Sequence, residues 1–418
     1  MASVNLIRNS RVFFTTNVDS QGRVRVGAYK DILYPMDGVT TPNCWEIQVL
    51  EGLTFSQNTT QDTVTLNEAG ASPSRGQRSF NTALQPLDFS FSTYVRPYKN
   101  GSSDPVTCEE KLLWNAFAGK VSLTAGSGKS WTETSSGSAP YTNGTGTLTW
   151  TNSNTHQLLP FGLIIIFDNA AYALDNCALD SATIDFGIDA IAAIQWAGKG
   201  AAIRPITVTA NSASPVVFSG ADVTQGGAEP ADTAVAKNTY GRYITNKLST
   251  MILNDGINDF TNSSTTFPSY QVALTGGQIS FNNNLTYLTP ANLATVNLPI
   301  TYFTGTRAIT GNVTAYLKTG ATGVDTADLL KDMLAASATT VDPKYTINIQ
   351  MGGPTTNDTG VEIKLPAAML QIPQINTQQV ISTTINFTAQ GYNSTNSTYE
   401  ITEKNEASVV YRSAPSAA

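Results

Sequence analysis

The chain has 418 residues, room for two domains with cores of their own at the usual roughly 100 to 200 residues each. Only 13% of residues are charged, against about 25% in an ordinary soluble protein, while 41% are apolar, and Ser, Thr, Asn and Gly make up the difference; such faces suit contact with further copies of the chain, because interface cores are poor in Lys, Glu and Asp. The net charge of −7 has the wrong sign for neutralising phosphates and disfavours tight nucleic-acid binding.

The first twelve residues carry Arg8 and Arg11 and lack the apolar run of an export signal. Residues 158–167 are the longest apolar stretch, but Pro160 and Gly162 break it and it falls far short of the roughly 20 residues of a membrane helix. Cys44, Cys108 and Cys177 are odd in number and widely spaced, which fits neither a disulfide framework nor a zinc site. Three reduced, largely buried thiols are expected.

Most of the chain reads as short strands of Thr, Val, Ile and Phe alternating with polar residues and separated by Gly, Asn, Asp and Pro. A first strand is expected over 52–58, centred on Phe55. Residues 59–85, with Glu68, Arg75, Arg78 and Phe80 among Gly, Ser and Pro, read as a long structureless arm that offers charges and an aromatic ring for docking. Leu87, Phe89, Phe91 and Tyr94 mark a strand. A helix follows Thr107, with Glu109 and Glu110 at its positive end, Leu113 and Phe117 at i, i+4, and Gly119 as its stop. Residues 126–155 are rich in Ser, Thr and Gly, and mark an insertion at about 120–157. A closing segment then carries Leu179, Ile184, Ile194, Trp196 and Gly200, and residues 205–236, with Pro215, Gly220, Gly226, Gly227 and Pro230, have the composition of a linker.

The same pattern then recurs. A strand over 277–284 is centred on Phe281, and Ile309, Gly311, Val313 and Tyr316 repeat the later strand at an offset of 222 (309 against 87). A helix follows Thr326, with Asp328 early and Leu330 and Leu334 at i, i+4. Leu370, Ile375, Ile385, Phe387 and Gly391 match the first closing segment at a constant 191 (370 against 179, 391 against 200). One domain is therefore written twice: 1–204, a linker over 205–240, and 241–418 with a C-terminal tail.

Side chains alternate across a strand, so where Phe89, Phe91, Val313 and Leu317 face a core, Asp88, Ser90, Ser92, Thr310, Asn312 and Thr314 face away from it. Ser56, Asn282, Gln195 and Asn386 are expected on that same outer face. It is short, polar and without Lys or Arg, so a passing phosphate meets no fixed cation on it.

Motifs for chemistry are weak. Gly126-Ser127-Gly128-Lys129-Ser130 resembles a phosphate-binding loop, but Leu123 stands where the motif needs Gly. His156 is the only histidine, so a histidine metal cluster is excluded and it reads as a solvated or capping residue. Asp175, Asp180, Asp185 and Asp189 fit no calcium-loop spacing and read as solvated strand ends, and Asn254-Asp255-Gly256 reads as a turn. Asn-x-Ser/Thr triplets, as at Asn143, Asn393 and Asn396, follow from the composition. No nucleophile, base and orienter come together, so no catalysis, cofactor or metal is expected.

Residues 65–80, TLNEAGASPSRGQRSF, and 87–99, LDFSFSTYVRPYK, resemble the tail tube proteins (major tail proteins) of long-tailed bacteriophages. LIRNSRVFF at 6–14, FNNNLTYLTP at 281–290 and TGNVTAYL at 310–317 extend the resemblance over nearly the whole chain. It is greatest to the siphophage subgroup whose subunit is a fused pair of tube domains. The resemblance implies a mainly β fold of two tandem tail-tube-type β-sandwich domains, each with one short flanking α-helix, whose inner strands form a continuous β-barrel in a ring. It implies trimeric, pseudo-hexameric rings stacked into a hollow conduit for DNA ejection, assembled in the host cytoplasm. The polar face then lines the channel and residues 59–85 form a ring-stacking arm. Implied partners are further copies of the chain, a tape measure protein inside the tube, tail terminator and tail-tip proteins at its ends, and double-stranded DNA passing without specific binding, with no membrane. The C-terminal immunoglobulin-like domain of some relatives is not expected here. Composition alone also fits a secreted or surface β-sandwich adhesin or glycan-binding protein.

Overall fold

The computed structural model describes residues 10–16, 18–24, 44–68, 70–72, 74–98, 106–108, 110–118, 131–136, 143–149, 158–167, 170–206, 243–255, 269–291, 296–320, 324–339, 345–353, 359–372, 374–377, 380–393, 398–399 and 406–412. The first half carries β1 (Arg11–Thr15), β2 (Cys44–Ile47), β3 (Thr54–Ser56), β4 (Thr59–Glu68), β5 (Ser74–Leu84), β6 (Leu87–Tyr94), β7 (Pro97–Tyr98), β8 (Thr107–Cys108) and helix α1 (Lys111–Ala118). It continues through β9 (Trp131–Ser136), β10 (Asn143–Thr149), β11 (Phe161–Ile166), β12 (Ala171–Asp185), β13 (Ala193–Gly200) and β14 (Ala202–Ile206). The second half has β15 (Thr250–Asp255), β16 (Ser269–Val272), β17 (Leu274–Asn282), β18 (Leu285–Leu288), β19 (Thr301–Thr304), β20 (Ala308–Tyr316) and helix α2 (Thr326–Thr339). It ends with β21 (Tyr345–Gly352), β22 (Gly360–Leu370), β23 (Gln374–Thr377), β24 (Ile381–Ala389), β25 (Tyr392–Asn393), β26 (Thr398–Tyr399) and β27 (Ser408–Arg412).

The fold is mainly β and antiparallel, as expected. In the first half one layer runs β2–β1–β11–β12–β14 and the other β3–β6–β13–β12, so the 15-residue β12 serves both. The second half repeats both series as β16–β15–β21–β22–β27 and β17–β20–β24–β22. Even the irregularities recur. The β11–β12 ladder slips between Phe161 and Leu163, and the β21–β22 ladder between Tyr345 and Ile347. Strand alternation explains the packing: Leu87, Phe89 and Phe91 of β6 are buried while Asp88 is exposed.

The ladders correct one detail of the repeat. Strand β12 matches β22 at 191, but Leu179 lies across from Gly198 and Leu370 across from Phe387, so β13 matches β24 at 189 (387 against 198). The turn between these strands is two residues shorter in the second half, and Phe387 stands where Gly198 does, not where Trp196 does. In the first half Phe89 on β6 lies across from Gly198 on β13; in the second Gly311 on β20 lies across from Phe387 on β24. A Cβ on Gly198 would come 2.4 Å from Phe89 Cζ, and one on Gly311 2.3 Å from Phe387 Cζ. The same space is filled by a ring sent from opposite strands, and only glycine leaves room for it.

Strand β12 pairs with β17 as well, from Ser181↔Asn282 to Asp185↔Gln278. The inner layers of the two halves thereby fuse into one sheet of eight positions, β3–β6–β13–β12–β17–β20–β24, with β22 and β23 sharing the last. Helix α1 covers this seam. Its Trp114 sits edge-on to Trp196 at 4.8 Å and to Phe281 at 5.6 Å, and donates from Nε1 to the Tyr411 hydroxyl at 2.9 Å. The two helices are not placed alike: α2 packs on β16, where the Tyr270 hydroxyl donates to Asp332 Oδ2 at 2.5 Å.

Four segments differ from their expected form. Residues 59–85 are not structureless: β4 and β5 form a two-stranded ribbon, because Thr, Gln and Val alternate on both sides of the Gly/Ser tip and pair locally, although little of the ribbon is buried. Thr107 lies in β8 and α1 begins at Lys111, with Glu110 buried just ahead of it; Glu109 and Gly119 lie outside the described residues. The insertion carries the β9–β10 hairpin, and the C-terminal tail contributes β27, which pairs with both β10 and β22. Asn254 and Asp255 are strand residues of β15.

Candidate assembly surface: a polar sheet face with two open edges

The eight-position sheet has one core face and one face outside the core. On the second face lie Thr54 and Ser56, then Asp88, Ser90 and Ser92, then Gln195 and Lys199. Across the seam come Ser181, Thr183 and Asp185, then Gln278, Ser280 and Asn282, then Thr310, Asn312 and Thr314, then Thr384, Asn386 and Thr388. All ten residues expected on the polar face fall on this one surface, and all are exposed or half-buried. Hydroxyls knit neighbouring strands, Thr54 Oγ1 with Ser90 Oγ at 2.8 Å and Thr183 Oγ1 with Ser280 Oγ at 3.1 Å.

The face is not free of cations. Lys199 lies directly across from Asp88 and its Nζ reaches Asp88 Oδ1 at 2.9 Å. The pair arises because Lys199 follows Gly198 at the end of β13, in step with Gln195. With its charge answered by Asp88, this lysine is no bare phosphate anchor. Sequence reasoning also missed Thr183, Ser280 and Thr384; the period of two along β12, β17 and β24 is the signal that holds them.

Among the described residues, the outer edge of β3 and the outer edge of β23 have no ladder partner. Exposed apolar side chains cluster by the second edge, with Ile372 at 55% and Ile375 at 47%. The β4–β5 ribbon is two-faced: Val64 and Phe80, with Arg78, lie on one side, and Thr63, Ser79, Gln77 and Arg75 on the other, all exposed. Glu68 ends β4 next to the tip. The shorter β18–β19 hairpin occupies the matching place in the second half and is seated on the first half. Leu285 N donates to Asp180 Oδ1 at 2.7 Å, the Tyr302 hydroxyl to Leu158 O at 3.1 Å, and the Tyr287 hydroxyl to Asn176 O. Burial pushes the Tyr302 phenol up to about 12.

The acids of β12 have separate roles. Asp175 is not a solvated strand end: its carboxylate accepts from Arg204 at 2.9 and 3.0 Å and from Val24 N at 2.8 Å, which holds residues 18–24 against the sheet. Asp180 anchors the hairpin just described, Asp185 and Asp189 are exposed, and Lys247 stands 3.9 Å from Asp189. Cys108 and Cys177 are buried free thiols, and burial pushes the Cys177 thiol up. The side chain of Cys44, the Gly126–Ser130 loop and His156 lie outside the described residues. Among the described residues no three metal-ligating side chains converge.

A polar sheet face bounded by bare edges, with no convergent catalytic or metal-binding side chains among the described residues, is the surface of a structural β-protein whose edges can accept further strands. Over 393 residues, 93% of this chain, the sequence is 28% identical to tail tube protein pb6 of Escherichia phage T5, covering 73% of that protein. That similarity, over nearly the whole chain, supports a structural protein of the siphophage tail tube kind. No family model matches the sequence. A baseplate chain of the anti-feeding prophage is matched over 36% of this chain and 88% of its own at 11% identity, but the TM-score of 0.23 carries no argument.

Proposed function

We propose that three subunits close into a pseudo-hexameric ring, and that rings stack into a hollow conduit through which DNA is ejected into the host. The observation that carries this is the β12–β17 seam, where one chain already joins two like halves edge to edge and leaves a matching free edge at each end. Six halves closing on themselves make a barrel without edges, which turns the aggregation hazard of a bare strand into the mode of assembly. On this reading the domains span 1–204 and 241–418, joined through 205–240.

The polar face lines the channel. Its hydroxyls and amides bind no phosphate tightly, and the Lys199–Asp88 pair leaves it without a free positive charge, so DNA slides rather than sticks. A tape measure protein fills the lumen before ejection, terminator and tip proteins close the ends, and the two-faced β4–β5 ribbon, with Glu68, Arg75, Arg78 and Phe80, reaches the next ring. Assembly takes place in the host cytoplasm, without a membrane, a cofactor or catalysis. Helical reconstruction of tubes grown from the purified chain should resolve three chains per layer. Six chains per layer, or an outward-facing polar surface, would overturn the proposal.

A further inference from the structure

We infer that neighbouring subunits join in the register already used inside the chain, so that Ile375 of β23 lies directly across from Phe55 of the next subunit's β3; this rests on the ring reading above. The seam supplies the template: Thr183↔Ser280, Ile184↔Ile279 and Asp185↔Gln278, followed by Phe186 N donating to Gly277 O at 3.0 Å. The offset of 191 carries Thr183, Ile184 and Asp185 to Gln374, Ile375 and Asn376. Strand β3 maps onto β17 at 224 (279 against 55), because Phe55 lies across from Phe89 and Ile279 across from Gly311, which stands for Phe89 at 222. The free edges therefore meet as Gln374 across from Ser56, Ile375 across from Phe55, and Asn376 across from Thr54.

Burial, chemistry and size agree with this register. Ile184 and Ile279 are both 0% exposed, whereas Ile375 is 47% exposed and Phe55 only partly covered. Phe55 sits beside Phe167 and Tyr172 at 6.4 and 5.7 Å, leaving an aromatic margin that an aliphatic side chain extends. The Thr183–Ser280 hydroxyl pair is replaced by an amide and a hydroxyl, Gln374 and Ser56, and acidic Asp185 by neutral Asn376. Beyond them the bulk changes sides. In the chain the Phe186 ring lies 2.6 Å from where a Gly277 Cβ would stand; the corresponding residues are the smaller Thr377 and the larger Leu53. A register moved by one residue would set Ile375, whose face is fixed by its pairing with Thr383, across from Thr54 or Ser56 of the opposite face.

Engineered disulfides test the register. Directly paired residues have Cα atoms about 4.5–5.5 Å apart, within disulfide reach. Oxidised tubes of the Phe55→Cys/Ile375→Cys double variant should run as covalent trimers on non-reducing gels, whereas Leu53→Cys/Ile375→Cys should give little product. Ile184→Cys/Ile279→Cys checks that this geometry closes, and the parent protein sets the background of native thiols. Normal tubes that cross-link through Leu53 instead, or not at all, would overturn the register while leaving the conduit intact. Where the cysteine variants fail to polymerise, amide exchange on the parent decides: residues 54–56 and 374–377 should be protected in tubes and labile in free subunits, and unchanged exchange would overturn the inference. A parent that never forms tubes by electron microscopy would remove the reading on which it rests.

Discussion

Exchanging Phe89 and Gly198 is a direct probe of how the two halves keep their cores filled. Phe89→Gly alone removes a ring that meets Phe91 at 6.2 Å and Phe161 at 6.4 Å, which costs about 3–5 kcal/mol as for Phe→Ala, with roughly 0.5–1 kcal/mol more for glycine in a strand. Gly198→Phe alone forces a side chain into space 2.4 Å from the Phe89 ring, an overpacking of about 1–3 kcal/mol or more. The double variant recreates the arrangement of Gly311 and Phe387, and its total volume is unchanged, so it should lie within about 1.5 kcal/mol of the parent. The coupling between the two sites is then several kcal/mol, far beyond the roughly 0.3–0.5 kcal/mol scatter of independent sites. Urea unfolding of free subunits, followed by tryptophan fluorescence and circular dichroism, measures all three variants against the parent. A double variant as unstable as the sum of the singles would refute the exchange and with it the 189-residue match of β13 to β24.

Burial pushes the Tyr302 phenol up to about 12 in the folded chain, about two units above its ordinary value, so the unfolded chain loses that proton first; the Tyr302 contribution to stability should be constant below about pH 10 and be lost as pH rises towards 12, seen as a shallower alkaline fall in Tyr302→Phe than in the parent by pH-dependent urea titration. Lys at both Ser90 and Asn312 puts six unpaired cations in each three-subunit layer, so tubes should still form while DNA ejection, timed by dye release from phage carrying the variant, slows and regains speed in high salt. Replacing residues 66–76 by Asn-Gly should leave β circular dichroism and melting nearly intact yet stop tube elongation, because the ribbon adds little to the core; full-length tubes from that variant would assign the ribbon to solvent.

The faces of β6 and β20 were legible because Leu87, Phe89 and Phe91 recur at every second residue, and Ile309 and Val313 stand four apart, spacings that put each set on one face of a strand. The duplication was legible too, except in β13 against β24. There Trp196 against Phe387 and Ile194 against Ile385 make a tempting ungapped match, while the true counterparts, Gly198 and Phe387, are the least alike pair in the segment. Complementarity across two strands is invisible to a comparison made along one. The ribbon was misread because Gly70, Ser72 and Gly76 signal a loop, and strands that bury no face leave no apolar alternation to set against that signal. The β12–β17 seam lay beyond reach, since its partners are about a hundred residues apart and nothing local marks a strand that serves two sheets. Asp175 read as solvated because Arg204, which neutralises it, comes 29 residues later on a strand of its own.

The unequal length of the two hairpins would set the screw of the proposed tube. The first half projects strands of ten and eleven residues, the second only strands of four, folded back on its own neighbour. The pseudo-hexameric ring proposed above would thus present long pegs at every second position only. Successive layers can mesh after a turn of some fixed angle plus multiples of 120°, but not of 60°. On that reading the bore would repeat at every half-subunit while the pegs repeat only at every subunit, and a tail built this way would have a single defined helical phase from one end to the other.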